Sequence, residues 1–341
     1  VQSLPSSLSM RDRIPKVGEV LHGNFADYKL LEVLGDGGYG TVFGSNLSGR
    51  SVAVKVEKYS QSMLFVEEKV LRAANGKNMV HICEMIDYKV VKGEFVFLVM
   101  TRLGKDLHKL KYEMTSRRFS TSTALRIGIQ SLEAIRELHC GYFISRDIKP
   151  GNFSPGYKGN QQNHIIYMFD FGLSRRYIDT NNNHVPERGS VGWRGTTRYG
   201  SLNAHMKKDL GRRDDLESWF YMLVEVTTGA LPWRTLTVRT SVEDMKRDAR
   251  NNRKFLEGCP ESYATILESI DLLTFAEDPP YKEYEEILRK ECWKRGIRDN
   301  DAWDWDDSMD MTGPVETANE HTEHSGPSED RSNMCTGKLN E

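Results

Sequence analysis

A chain of 341 residues with 38% hydrophobic and 28% charged residues has material for one two-lobed domain or two ordinary ones. No run approaches the ~18 apolar residues that cross a bilayer, and no basic segment leads into an apolar one at the start, so neither a spanning helix nor a secretory leader is expected. The net charge of −2 conceals an asymmetry: residues 301–341 hold eleven Asp/Glu and two Lys/Arg, leaving 45 basic against 38 acidic residues in the remainder, and a basic body suits an anionic partner.

In chain order, residues 1–24 are polar, carry two prolines and read as a flexible lead-in. From 25 to 100 the pattern is strand-rich, with one helix near residues 64–74. Tyr28 to Leu34 and Thr41 to Gly44 read as the two strands of a hairpin, and Lys55 closes a third, β-branched strand. Between the first two lies Gly35-Asp36-Gly37-Gly38-Tyr39-Gly40-Thr41-Val42. Glycine has no Cβ, so such a turn lets the backbone approach phosphates closely. The same pattern can open the helix of a dinucleotide-binding unit, and the strands on both sides argue against that here. Glu94 to Met100 is a near-continuous apolar strand, and Leu103-Gly104 breaks it, which places a hinge at 101–104. Beyond 105 the periodicity turns helical. Residues 123–138 repeat apolar positions at three and four, with Thr123 or Ser122 as cap, and Phe220 to Thr228 reads as a core helix. Residues 156–164 read as a polar inserted loop. The acidic stretch 301–341 has no periodicity and reads as disordered. Five scattered cysteines (Cys83, Cys140, Cys259, Cys292, Cys335) without a C-x-x-C pair read as reduced thiols.

The chemistry concentrates in Ser145-Arg146-Asp147-Ile148-Lys149-Pro150-Gly151-Asn152, followed by Asp170-Phe171-Gly172. Phosphoryl transfer needs a carboxylate to take the proton of the accepting hydroxyl, and an amide and a second carboxylate to hold metal ions against the phosphates. The Asp-x-x-x-x-Asn spacing upstream of Asp-Phe-Gly supplies that set.

Together with the glycine turn and Val52-Ala53-Val54-Lys55, these residues resemble a eukaryotic protein kinase. Gly195-Thr196-Thr197-Arg198-Tyr199-Gly200-Ser201-Leu202-Asn203-Ala204-His205 is similar to the activation segment of the casein kinase I superfamily. Arg212 to Ser218, Phe220 to Glu225 and Leu231-Pro232-Trp233-Arg234 are similar to its tau-tubulin kinase branch. The resemblance spans roughly residues 25–295. It implies the α+β, bilobal protein kinase fold: a small antiparallel-sheet lobe (25–100) with one main helix, the hinge, and a larger, mostly helical lobe (105–300).

The resemblance further implies a serine/threonine kinase that uses ATP and Mg²⁺. Asp147 would be the catalytic base and Lys149 the contact to the transferring phosphate, with Asn152 and Asp170 as metal ligands. Lys55 would hold the α- and β-phosphates. Its carboxylate partner would be Glu67, because Glu67-Glu68-Lys69-Val70-Leu71-Arg72 resembles the family's E-x-K-V-x-R, with Glu68 as the solvated neighbour. Leu34, Gly35, Asp36, Gly37, Gly38, Tyr39, Gly40, Thr41, Val42, Ala53, Lys55, Met100 and Leu103 would line the nucleotide, with Met100 as gatekeeper. Asp215 would brace the catalytic loop. Arg198, joined by Arg194 and Arg239, would form an anion site favouring acidic or already phosphorylated substrates. The resemblance makes protein substrates the partners, cytoskeletal ones among them, and implies a monomer in the cytoplasm or nucleus, with no nucleic acid or membrane partner. Activation-loop phosphorylation is not expected to be required. Ser145 departs from the family's usual His. That departure keeps open a second reading, a pseudokinase that binds nucleotide without transfer. A small-molecule kinase is disfavoured by the segment Gly195 to His205, which resembles a peptide-binding one.

Overall fold

Alternation in Val52-Ala53-Val54-Lys55-Val56-Glu57 decides how the first lobe is built, because successive strand side chains point to opposite faces of a sheet. The computed structural model describes residues 12–306 except Tyr39 and Asn78. A short hairpin, β1 (Val20–His22) and β2 (Asp27–Lys29), precedes β3 (Glu32–Gly37), β4 (Gly40–Leu47) and β5 (Arg50–Lys58). Helix α1 (Leu64–Asn75), β6 (Met85–Val91) and β7 (Phe95–Thr101) complete the lobe. The antiparallel sheet has the order β3-β4-β5-β7-β6.

Val52, Val54 and Val56 face outward with Phe95, Phe97 and Val99, and are covered by Leu21, Tyr28 and Leu30 of the hairpin. Ala53 joins Leu98 and Met100 on the inner face, in a core continuous with the second lobe. Lys55 pairs with Leu98 in the β5–β7 register and shares the inner face with Ala53, which aims it into the cleft. Two expectations need correction. Tyr28 and Lys29 do not continue into β3 but pair back with Leu21 and Val20, so the expected single strand is two. Val20–His22 is a paired strand, inside the stretch 1–24 expected to be a flexible lead-in. Residues 1–11 of that lead-in lie outside the described residues.

The second lobe holds α2 (Leu107–Glu113), α3 (Thr121–Cys140), the short strands β8 (Phe143–Ile144), β9 (Phe153–Pro155), β10 (Ile166–Met168) and β11 (Arg175–Arg176), then α4 (Leu202–His205), α5 (Arg212–Thr228), α6 (Arg239–Asn252), α7 (Ser262–Leu272) and α8 (Tyr281–Lys294). The expected α+β architecture of a small sheet lobe and a larger helical lobe is present. Ser120, not Ser122 or Thr123, caps α3, its Oγ accepting from the Thr123 amide at 3.2 Å. Helix α5 starts at Arg212, earlier than the apolar run suggests. Nearly every residue of α5 is buried, charged ones included, so its polar first turn gives no amphipathic signal. No helix among the described residues is long and apolar enough to cross a membrane.

The acidic tail drawn from 301 also needs correction. Trp303 and Trp305 are buried in the second lobe, 4% and 0% exposed. Their rings stack at 4.7 Å, and Arg126 of α3 lies 4.1 Å over Trp303. Arg126 also donates to the carbonyls of Asp301 at 2.6 Å and Ala302 at 2.7 Å. Two indoles in an acidic run outweigh its charge, because each removes a large apolar area from water. The remainder of the tail, 307–341, lies outside the described residues.

Candidate active site

The cleft between the lobes gathers charges from both. Lys55 of β5 reaches Glu67 of α1, Nζ to Oε2 2.7 Å. The choice of Glu67 over Glu68 follows from helix phase. Leu64, Glu67, Val70, Leu71 and Ala74 form the buried stripe of α1, while Glu68 takes Arg72 one turn on at 2.6 Å. Lys55 also lies 3.5 Å from Asp170 Oδ1. Burial would lower the pKa of the Lys55 ammonium, but the pull of Glu67 and Asp170 raises it well above its ordinary value. Lys55 in turn lowers the pKa of Asp170 against the effect of burial, helped by Lys149. Glu57, a third carboxylate 3.9 Å from Lys55, accepts from the Met63 amide at 2.7 Å and so anchors the start of α1.

Below the cleft, Asp147 is held from three sides. Lys149 Nζ lies 2.8 Å from its Oδ2, Thr196 donates its hydroxyl to Oδ1 at 2.7 Å, and Asn152 Nδ2 donates to its carbonyl at 2.9 Å. Lys149 donates to Thr196 as well, at 3.2 Å. Asp215, buried at the start of α5, accepts from the amides of Ser145 at 2.7 Å and Arg146 at 2.8 Å, and pairs with His139 Nε2 at 2.9 Å. The helix-capping duty falls to its neighbour Asp214, which accepts from the Gly211 amide at 2.8 Å. Ser145 fills its buried place and accepts from the Asp147 amide at 3.3 Å. Two non-glycine residues of this loop system are left-handed, Arg146 (φ 67°) and Asp170 (φ 64°), so backbone strain collects at the cleft.

The glycines of the β3–β4 turn divide by cause. A Cβ at Gly40 would meet the Val56 carbonyl at 2.0 Å, whereas at Gly35 it would meet nothing within 4 Å. Sheet packing therefore demands Gly40, and no protein contact demands Gly35. Thr41 donates to Asp36 at 2.6 Å, tying the turn together, and Gly37 and Gly38 lie at its tip. Tyr39 lies outside the described residues. Leu34, Val42, Ala53, Met100 and Leu103 all pack on the main core, and Ala53 sits opposite Met100 in the register.

The three arginines expected to form an anion site have separate surroundings. Arg194 lines a groove with Arg146, Ser201, Asp214 and Asp215. Arg239 lies 5.0 Å over the Trp193 ring. Arg198 donates to the Arg234 carbonyl at 3.1 Å and stands 3.7 Å from Glu225. Arg146, pushed down to about 10 by burial and by Arg194, Arg175 and Arg188, was not among the three. Arg175 and Arg188 share Asp209, each at 2.8 Å. Thr196 is likewise a site residue that the sequence reading does not assign. Its signal was the preceding Gly195, left-handed at φ 90°, where a Cβ would meet the Arg146 carbonyl at 2.4 Å. That close approach brings Thr196 onto the loop. Ser201, in the same segment, is 1% exposed and donates to Asp214.

A family model described as the protein kinase domain matches residues 28–287. A protein of Dictyostelium discoideum named as a probable serine/threonine-protein kinase is 30% identical over 296 residues, 85% of this chain and 58% of the relative. The chain thus spans somewhat over half the length of that curated relative.

Proposed function

The chain belongs to the protein kinase domain family, and we propose that it is an ATP-dependent protein-serine/threonine kinase of the casein kinase I superfamily, nearest the tau-tubulin kinase branch. One observation carries the reading: Lys55 with Glu67 and Asp170 stands on one side of the cleft, and Asp147 with Lys149, Thr196 and Asn152 on the other. A cation fixed between two carboxylates suits the α- and β-phosphates of ATP, because its position is set before the nucleotide arrives. Asn152 and Asp170 offer the hard oxygen donors that Mg²⁺ prefers. Those two residues would hold an ion shared with the nucleotide. Bound there, the ion would neutralise phosphate charge.

Asp147 would then orient a serine or threonine hydroxyl and accept its proton. Thr196 and Lys149 hold the carboxylate in one rotamer, and Lys149 would meet the transferring phosphate. Ser145 leaves the Asp215 brace in place, which supports transfer over mere nucleotide binding. A preference for acidic or primed substrates would rest on Arg198, Arg194 and Arg239, as the resemblance suggests. Arg194 and Arg146 line one small recess, which Asp214 and Asp215 also line. Cytoskeletal proteins remain the substrates suggested by the resemblance, with the protein acting as a monomer in the cytoplasm or nucleus. Transfer of labelled phosphate from ATP and Mg²⁺ to casein and to primed and unprimed peptides, beside an Asp147→Asn control, tests the reading. Transfer that disappears in the control supports it. Nucleotide binding by thermal shift without transfer by the wild type would replace it with the pseudokinase.

A further inference from the structure

Lys246 occupies a place where a lysine is costly. It belongs to the buried stripe of α6, with Val242 and Ala249, and is 0% exposed. Among the described residues no carboxylate lies within ion-pair distance of its Nζ. Instead Nζ donates to the carbonyls of Thr197 at 3.0 Å and Gly200 at 2.5 Å, and meets His205 Nε2 at 3.1 Å. The rings of Tyr221 and Trp233 flank it at 4.9 and 5.5 Å, a favourable setting for a desolvated cation.

Those two carbonyls bracket a turn that the Trp233 indole also pins, Nε1 donating to the Arg198 carbonyl at 2.8 Å. The same turn carries Thr196, whose hydroxyl holds Asp147. One side of residues 196–200 therefore touches the proposed catalytic pair, and the other is fastened to α5 and α6 through side chains on its carbonyls. We propose that Lys246 is a positioning residue for the peptide substrate: its ammonium, with three donors for three acceptors, fixes the turn against which the substrate chain is laid. This inference rests on the kinase reading.

The groups facing Lys246 are His205 from α4, Tyr221 and Glu217 from α5, and Glu243 and Arg250 from α6 itself. Burial, followed by Lys246, Arg239 and Arg247, pushes His205 down to about 3, so it stays neutral and accepts at Nε2. Burial and Glu217 push Tyr221 well above its ordinary value. Burial lowers Lys246 itself to about 7, against the pull of Glu217. On losing a proton the amine keeps two donors and turns a lone pair toward a third acceptor, so the turn loosens as pH rises through that value.

The experiment is steady-state kinetics of wild type, Lys246→Met and Lys246→Arg, with peptide and ATP varied separately from pH 6 to 8.5. Losing a charged donor to a buried carbonyl corresponds to about a ten-fold effect or more. Lys246→Met is expected to raise the peptide KM by that amount with the ATP KM unchanged, and Lys246→Arg to recover part of it. The wild-type peptide KM is expected to climb above pH 7, and that of Lys246→Met to stay level. A level wild-type profile, or a folded Lys246→Met with wild-type peptide KM, overturns the inference. If Lys246→Met does not fold, hydrogen exchange over residues 194–206 of Lys246→Arg decides the matter, with faster exchange than wild type expected and an unchanged rate overturning the inference. Should the wild type transfer no phosphate, the kinase reading fails separately. Hydrogen exchange over residues 194–206 then judges Lys246, with faster exchange in Lys246→Met expected and an unchanged rate overturning it.

Discussion

Asp147 illustrates how much a single carboxylate owes to its neighbours. Its two oxygens are engaged by Thr196 and Lys149, so its direction is fixed before any substrate binds. Thr196→Val removes the hydroxyl and leaves the fold alone. It is expected to lower kcat by roughly 10- to 100-fold, the range of a hydrogen bond to a charged group, while Thr196→Ser retains most activity. Equal kcat in both variants would show that Asp147 needs no such partner. Lys55 permits a second prediction. Glu67 is 1% exposed, and stripping it of Lys55 leaves a buried charge without its partner. Lys55→Met is expected to cost about 3–5 kcal/mol in chemical denaturation, and the double variant Lys55→Met/Glu67→Leu to recover much of it. If the double variant is no more stable than Lys55→Met, the loss does not come from leaving Glu67 buried and unpaired. At this scale the resemblance to the family's motif names Glu67, and the structure supplies the physical reason. Glu67 lies in the buried stripe of α1, and Lys55 shares the inner face of β5 with Ala53. What was not legible is contact between residues far apart, such as Thr196 on Asp147, because no local period encodes it.

Among the elements, the inserted stretch 156–164 shows the same limit more clearly. Its polarity and position before β10 identify a loop, but nothing local says what it touches. It fastens the hinge to both lobes. Arg102 lies 4.2 Å over Tyr157 and pairs with Glu32 of β3 at 2.9 Å. Asn160 donates to the Ser51 carbonyl in β5 at 2.9 Å, and Gly104 donates to the Pro155 carbonyl at 2.8 Å. At its other end His164 meets Asp306 at 2.9 Å. Because Arg102 sits in the hinge, loosening the strap moves the backbone expected to meet adenine. Tyr157→Ala is expected to raise the ATP KM about three- to ten-fold, the reach of a partly buried cation–π contact, with the peptide KM unchanged. A shift in the peptide KM instead would assign the loop to the substrate side. Helix α5 is the opposite case. Its burial on all sides hid its first turn from a periodicity argument, although its charged residues include the brace Asp215.

For the molecule as a whole, charge and packing make different claims on the C-terminal end, and two truncations separate them. Residues 301–306 belong to the second lobe through Trp303, Trp305 and the carbonyls that Arg126 grips. Asp304 also accepts from Ser120 at the start of α3, at 2.6 and 2.7 Å. Ending the chain at residue 300 removes both indoles and leaves Phe119, which packs edge-on against Trp305 at 5.9 Å, facing water. That truncation is expected to cost about 3–5 kcal/mol, the loss attached to one large aromatic, and to lower the melting temperature accordingly. Ending the chain at Asp306 removes eight acidic and two basic residues. It keeps both indoles and the carbonyls that Arg126 grips, so the loss that follows cutting at 300 is not expected. If the acidic stretch competes with acidic substrates for the basic body of the protein, this shorter truncation raises kcat/KM for them at low salt, and the gain shrinks as salt screens the attraction. A gain independent of salt would mean that the stretch acts by bulk and not by charge. Loss of stability on cutting at 306 would mean that the packed lobe extends further along the chain than Trp305.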